Sequence, residues 1–195
     1  MKNPDEWDRA YAAAGLAFDV EPHPELARAV GDLQPGRAVE FGCGEGRPAI
    51  WLATRGWRVT AVDFSQVAVD RGRQVADRHG VEVDWQVADA RAYEPVGSID
   101  LAVVLYLHIG SAEIATVLRR AAAALAPGGT LFVLGWDRSN AVAGTGGPRP
   151  ADLLYDAAEL TRAVAGLRVR RAEAVPQLGS ADAADLVLTA YRPPA

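Results

Sequence analysis

Apolar and polar positions alternate along this chain in two rhythms. Short β-branched or apolar runs stand at Arg37 to Phe41, Arg58 to Asp63, Val81 to Val87, Ile99 to Leu105 and Thr130 to Leu134. Stretches with helical spacing fall between them, at Pro48 to Arg55, Ser65 to His79 and Ser111 to Leu125. Ser65 is placed to cap the second, and Pro127-Gly128-Gly129 to stop the third. Strands that alternate with helices predict an α/β fold, a doubly wound, mostly parallel sheet with right-handed crossovers.

The last third breaks the alternation. Asn140 to Pro150 is rich in Gly and Pro and reads as a long loop. Asp156-Ala157-Ala158-Glu159 has the form of a capping box for a short helix ending near Ala165. Two strand patterns follow without a helix between them, Leu167 to Val175 and Leu186 to Tyr191, which predicts an antiparallel pair at the sheet edge. Upstream, Asp5 to Ala14 and Pro24 to Val30 have short helical patterns, expected to cover the carboxyl-end face of the first strand. With no internal repeat or long linker, residues 1–195 read as a single domain: a helical cover at 1–31, a core at 37–134, and a loop, helix and edge strands at 135–195.

Composition narrows the class. Half of the residues are hydrophobic and 23% are charged, as in ordinary globular proteins. The net charge of −5 disfavours nonspecific binding to nucleic acid or an anionic membrane, so neither is expected as a partner. The longest apolar run, from Ile99, is interrupted by Asp100 and His108 and is too short to span a bilayer. The single Cys43 excludes an internal disulfide, and the N-terminal MKNPDEWDRA lacks the apolar stretch of a leader; a cytoplasmic location is expected. His23, His79 and His108 are scattered and no Cys/His cluster exists, so no metal site is expected. Nothing in the pattern sets an oligomeric state.

The chemistry concentrates at Val39 to Gly46, VEFGCGEG, which ends a strand pattern and opens a helix. Glycine admits a ligand against the backbone, and such a turn can aim N–H groups at one anionic point. The spacing is G-x-G-x-G with Glu40 two residues before the first glycine, not the G-x-G-x-x-G of dinucleotide sites. Here the chain resembles the class I S-adenosylmethionine-dependent methyltransferases. Glu40 to Gly46 is similar to their first motif and Asp63 to the acidic residue that takes both ribose hydroxyls. Phe64 follows, able to lie against the adenine, and Asp89 in Val87-Ala88-Asp89-Ala90 resembles the residue near the adenine amino group. Leu105-Tyr106-Leu107-His108 resembles the fourth motif, which lines the methionine end, and Leu125-Ala126-Pro127-Gly128-Gly129-Thr130-Leu131 the turn before the fifth strand. The resemblance covers Arg37 to Leu134. It implies a Rossmann-like sheet and S-adenosylmethionine held at Glu40, Gly42, Cys43, Gly44, Gly46, Asp63, Phe64, Asp89, Ala90 and Leu105. On the residues alone, Asp63 also suits a helix cap, Asp89 a loop carboxylate and Cys43 a small buried filler. Glu40, on a buried strand, needs a partner, either the cofactor's ammonium or backbone N–H groups.

A narrower resemblance lies outside the core. Trp7-Asp8 with Tyr11, Gly44-Glu45-Gly46-Arg47, Tyr106-Leu107-His108, Trp136-Asp137, and Gly146-Gly147-Pro148 followed by Leu154-Tyr155 are similar to small bacterial methyltransferases of the tellurite-resistance and thiopurine-methyltransferase type. Pro48 departs from them, since Asn often follows the Arg there. This resemblance implies a small, soft acceptor such as a thiol, tellurite or selenite. Trp7 and Tyr11, at i and i+4, share a helix face and either roof the site or pin the helix. Arg47, Tyr106 and Trp136 are the other substrate-side candidates. His108 and Asp137 are the candidate bases, each equally suited to a structural hydrogen bond. The sulfonium methyl is already activated, so a soft anion needs no base. The rival readings are an S-adenosylmethionine-binding module without catalysis and an NAD(P)-linked oxidoreductase.

Overall fold

The computed structural model describes residues 3–16, 19–143, 150–180 and 182–194. It falls into two compact units, Met1–Pro95 and Val96–Ala195.

The first unit runs α1 (Pro4–Ala13), α2 (Pro24–Val30), β1 (Arg37–Phe41), α3 (Arg47–Thr54), β2 (Arg58–Asp63), α4 (Gln66–His79) and β3 (Asp84–Val87). β2 lies between β1 and β3 and pairs in parallel with both, in the register Val39↔Thr60 and Thr60↔Asp84. Ala38 to Phe41 are all buried, as a parallel strand covered on both faces requires. Ser65 caps α4 by accepting the Ala68 N–H, and Gly80 ends it in the left-handed region at φ 65°. β3 is shorter than the apolar run suggests, because Val81 and Val83 pack against the Ile50–Val75–Ala76 cluster before the ladder begins.

α1 lies against the start of α4, past the carboxyl end of β2, and reaches the turn after the first strand, whose carboxyl-end face it was expected to cover, through Tyr11 beside Gly44. Asp8 accepts from Ser65 Oγ at 2.5 Å and from the Val67 N–H at 3.3 Å, and Arg71 donates to the Tyr11 and Ala14 carbonyls at 2.7 and 3.0 Å. α2 does not share that role. It buries Leu26 and Val30, and its last turn lies beside Trp51, Arg55 and Trp57, at the end of α3 away from the glycine turn.

The second unit runs β4 (Ile99–Leu105), α5 (Ser111–Ala124), β5 (Leu125–Trp136), α6 (Asn140–Ala143), a 3-10 turn at Ala151–Leu153, α7 (Ala157–Ala163), β6 (Arg168–Pro176) and β7 (Ala184–Tyr191). β4 and β5 are parallel; β7 is antiparallel to β5 on one side and to β6 on the other. The expected antiparallel pair is therefore present, with β7 inside and β6 outside. Pro127-Gly128-Gly129 plays a different part from the one expected. α5 passes directly into β5 at Leu125, and the glycines form a bulge inside the strand: pairing jumps from Ile99↔Leu125 to Leu101↔Thr130, with Gly128 at φ 84°. Asp156 caps α7 by accepting the Glu159 N–H at 2.9 Å. The segment from Asn140 opens as a helical turn. The Asn140 amide holds it, bonding the Asp137 carbonyl and both backbone groups of Ala184. Gly146-Gly147-Pro148 lies outside the described residues. Among the described residues, no helix is long and apolar enough to cross a membrane.

Candidate functional site

Gly42, Gly44 and Gly46 adopt φ of 71°, 54° and 70°, a conformation that glycine accepts and other residues resist. Their N–H groups do not converge on an outside point. Those of Gly42 and Cys43 both donate to the Val62 carbonyl at 2.8 and 2.9 Å, that of Gly46 to the Cys43 carbonyl at 2.8 Å, and that of Gly44 to Asp63 Oδ2 at 2.8 Å. The turn uses these donors to fasten itself to β2, so the expectation of an anion-binding nest fails here. Its open faces meet side chains. A Cβ on Gly44 would lie 2.6 Å from Tyr11 Oη, and one on Gly46 only 2.3 Å from Trp85 Cη2. The same indole carbon lies 2.4 Å from a Cβ built on Gly72 in α4. The close approach that Gly46 permits is therefore made by Trp85, which sequence reading missed. A glycine in mid-helix at Gly72 was its one signal.

Two buried carboxylates flank the turn. Asp63 Oδ1 accepts the Ser65 N–H at 2.9 Å while Oδ2 accepts that of Gly44, so Asp63 braces the turn and Ser65 caps α4. Burial pushes the Asp63 pKa upward against these N–H groups. Each oxygen keeps further acceptor capacity, which suits a pair of hydroxyls. Glu40 is 2% exposed and accepts the Ala49 N–H at 2.9 Å; burial pushes its pKa up to about 8. A cation beside it would restore the carboxylate. Burial likewise raises the Cys43 thiol, which donates to the Gly44 carbonyl at 3.4 Å. Asp89 is drawn into a bidentate pair with Arg91 at 2.5 and 2.9 Å, which lowers its pKa. Phe64 is half-buried and Ala90 buried. Trp7 and Tyr11 share the α1 face, ring centroids 5.7 Å apart, and Glu45 pairs with Arg71. Burial and the nearby Asp63 charge hold the Tyr11 phenol well above its usual range. Arg47 is exposed at the start of α3.

The second unit gathers the remaining candidates past β4 and β5. Leu105 ends β4, half-buried, and Tyr106 follows with its N–H on the Leu134 carbonyl at 2.7 Å. Among the described residues Tyr106 is the non-glycine residue with a positive φ, 51°. Its Oη donates to Asp185 Oδ2 at 2.7 Å. Asp185 is fully buried on β7, opposite Trp136, and its Oδ1 accepts from Gln177 Nε2 at 3.3 Å. Burial and the Asp185 charge raise the Tyr106 phenol.

His108 has both nitrogens engaged. Nδ1 lies 2.7 Å from the Leu153 carbonyl and Nε2 accepts the Trp136 N–H at 3.2 Å, which assigns the proton to Nδ1. Burial depresses its pKa, and Tyr155 stacks on it at 4.6 Å. Gly135 makes room for both rings: its Cβ would lie 2.6 Å from Tyr155 and 3.0 Å from His108. His108 thus buttresses the half-buried Trp136 and has no nitrogen placed to take a substrate proton. Asp137 Oδ1 accepts the Ser139 N–H at 2.8 Å and closes a turn. Both candidate bases hold backbone. Asp185 was missed in the sequence because a single acidic residue before Leu-Val-Leu reads as a strand start. Among the described residues no cluster could hold a metal ion.

Comparisons with known proteins bear on the class of the chain. A family model described as a methyltransferase domain matches residues 38–129. The ribosomal RNA small subunit methyltransferase C of Alcanivorax borkumensis is 30% identical over 107 residues, covering 52% of this chain and 32% of the relative. The chain spans less than half the length of the curated relatives it matches. That relative's RNA substrate leaves the expectation of no nucleic-acid partner unsupported. The N-methyltransferase NodS from Bradyrhizobium japonicum WM9, solved with S-adenosyl-l-homocysteine, is 19% identical with a TM-score of 0.76, covering 97% of this chain and 98% of NodS. TehB from Haemophilus influenzae is 14% identical with a TM-score of 0.74, covering 97% of this chain and 66% of TehB. The methyltransferase-domain match thus spans residues 38–129, just under half of the chain, on a Rossmann-like fold similar to those of NodS and TehB.

Proposed function

We propose that residues 1–195 work as one methyltransferase domain in the cytoplasm, transferring the methyl group of S-adenosylmethionine to a small, soft acceptor such as a thiol, tellurite or selenite. The observation that carries the reading is Asp63, a carboxylate 8% exposed, at the carboxyl end of β2, fixed by the Gly44 and Ser65 N–H groups. Its donor set fits the cofactor: two carboxylate oxygens suit a vicinal diol and repel a 2′-phosphate. Glu40 suits a cationic group, and the internally bonded N–H groups of the glycine turn offer little to a pyrophosphate. When bound, S-adenosylmethionine supplies an activated methyl group. The chain's own part is to hold the ribose at Asp63 and to shield the glycine turn with Trp7 and Tyr11. Both nitrogens of His108 are engaged by backbone, which favours an acceptor that needs little proton removal.

The test is thermal unfolding with ligands. S-adenosylhomocysteine should raise Tm by linkage, by the equivalent of about 2.7 kcal/mol at a hundredfold excess over Kd, and NADH should not. Equal shifts, or a shift with NADH alone, overturn the cofactor reading. A shift with no turnover across thiols, tellurite and selenite overturns the soft-acceptor reading.

A further inference from the structure

The Tyr11 hydroxyl has a place that the protein's own bonding does not explain. The rest of the residue is accounted for. Its carbonyl accepts from Arg71 Nη1 at 2.7 Å and its ring stacks on Trp7 at 5.7 Å. On the preceding turn of α1, Asp8 accepts from Ser65 Oγ and the Val67 N–H. These contacts pin α1 to α4 whether or not the ring carries an oxygen. The ring reaches over the glycine turn, so that Oη lies 2.6 Å from where a Cβ on Gly44 would stand. Among the described residues no hydrogen bond reaches it there. A hydroxyl pressed against protein without a partner costs free energy that a phenylalanine would avoid, and a ligand is one reason to keep it.

Its surroundings are acidic. Burial and the neighbouring Asp63, Cys43, Glu45 and Glu40 keep the phenol protonated, so Tyr11 is a standing donor. The turn has few others to offer. The N–H groups of Gly42, Cys43 and Gly46 are spent on carbonyls and that of Gly44 on Asp63. At the start of α3, Pro48 has no N–H, that of Ala49 goes to Glu40 and that of Ile50 to the Gly46 carbonyl. We propose that Tyr11 Oη donates to the carboxylate at the amino-acid end of S-adenosylmethionine, which makes Tyr11 a specificity-determining residue of the cofactor site as well as its cover. This rests on the cofactor reading above. Asp63 suits the ribose hydroxyls and Glu40 the ammonium, and the carboxylate is the group that still needs a donor. A guanidinium in this place would be drawn to Glu40 or Asp63, as Arg71 is to Glu45. A neutral phenol leaves both acids free for the cofactor, and the pinned backbone of α1 presents it with little left to order.

The experiment is calorimetry of S-adenosylmethionine and of its decarboxylated form, without an acceptor, on wild type, Tyr11→Phe, Arg47→Gln and Asp63→Ala. Tyr11→Phe should bind S-adenosylmethionine roughly 10- to 150-fold more weakly, the loss of one hydrogen bond to a charged group, and the decarboxylated form as tightly as wild type does. Asp63→Ala should weaken both ligands alike, and Arg47→Gln neither. Thermal unfolding of the ligand-free protein gives a second readout. Tyr11→Phe removes an oxygen that bonds nothing, so its Tm should equal or exceed that of wild type; a structural role would lower it. Equal weakening of both ligands, no weakening of either, or a lowered ligand-free Tm overturns the proposal. So does a carboxylate-dependent loss with Arg47→Gln in place of Tyr11→Phe. A folded wild type that binds neither ligand overturns the cofactor reading itself, and this one with it.

Discussion

Gly72 offers a quantitative check on how the glycine turn is held. In an exposed helix interior, Gly→Ala stabilises by about 0.8–1 kcal/mol. At Gly72 the new Cβ would lie 2.4 Å from Trp85 Cη2, 2.6 Å from Cζ3 and 2.9 Å from the Glu45 carbonyl. The first two contacts press on a rigid ring already seated against Gly46, and the third on backbone of the turn itself. Overpacking of this kind costs about 1–3 kcal/mol. The net expectation for Gly72→Ala is therefore a destabilisation of about 0–2 kcal/mol. Trp85→Leu removes the ring contacts and leaves that with the Glu45 carbonyl, so Gly72→Ala should cost clearly less in that background than in the wild type. The coupling between the two substitutions is then about 1–3 kcal/mol, read from denaturant unfolding in a double-mutant cycle. In a chain of 195 residues each 1 kcal/mol moves Tm by roughly 2–4 °C. If Gly72→Ala stabilises the wild type, or the two effects add, Trp85 is not wedged between the glycines and the account of Gly46 falls with it.

Two further expectations follow. Asp63→Ala removes the proposed acceptor of the ribose hydroxyls. Hydrogen bonds to a charged group are worth about 1.5–3 kcal/mol, so S-adenosylhomocysteine affinity should fall roughly 10- to 150-fold by calorimetry; unchanged affinity on a folded variant places the ribose elsewhere. His108→Ala should reduce turnover only modestly and abolish no kinetic ionisation near neutrality. Because burial depresses the folded His108 pKa, the unfolded chain takes up the proton first as pH falls below about 6.5, and stability declines in that window. The variant should lose that part of the acid sensitivity, measured as denaturant midpoints between pH 5 and 8. An imidazole titrating above 6.5 by NMR would contradict the assignment.

The bounds of β1, β2 and β4 were readable to the residue because their apolar runs are closed by charged or glycine-rich turns. β5 was not, since a Pro-Gly-Gly sequence reads as a stop. Here Arg192, directly after β7, continues its pairing with β5, its N–H on the Gly129 carbonyl and its carbonyl on the Gly128 N–H, and ties the bulge into the ladder. At the site, the glycines and both carboxylates announce themselves by type and spacing. Where their hydrogen bonds go does not, because each partner is chosen by the folded backbone. Nothing local to Asp63 reveals that Gly44 donates to it, and Tyr106 and Asp185 meet across 79 residues of chain. The bonds of His108 are hidden for the same reason: the claims on its two nitrogens come from Leu153 and Trp136, on separate segments.

Cys43 carries a consequence of a different kind. It is the chain's one thiol, 7% exposed, inside the glycine turn, with its N–H on the Val62 carbonyl and its carbonyl taking the Gly46 N–H. Alkylating reagents attack thiolates, and burial holds this sulfur protonated until the turn opens. The rate of maleimide labelling therefore measures how often the turn detaches from β2, in the way that amide exchange measures local opening elsewhere. Any ligand that grips the turn must slow that clock in proportion to its occupancy, so one native atom reports both the breathing of the site and its filling.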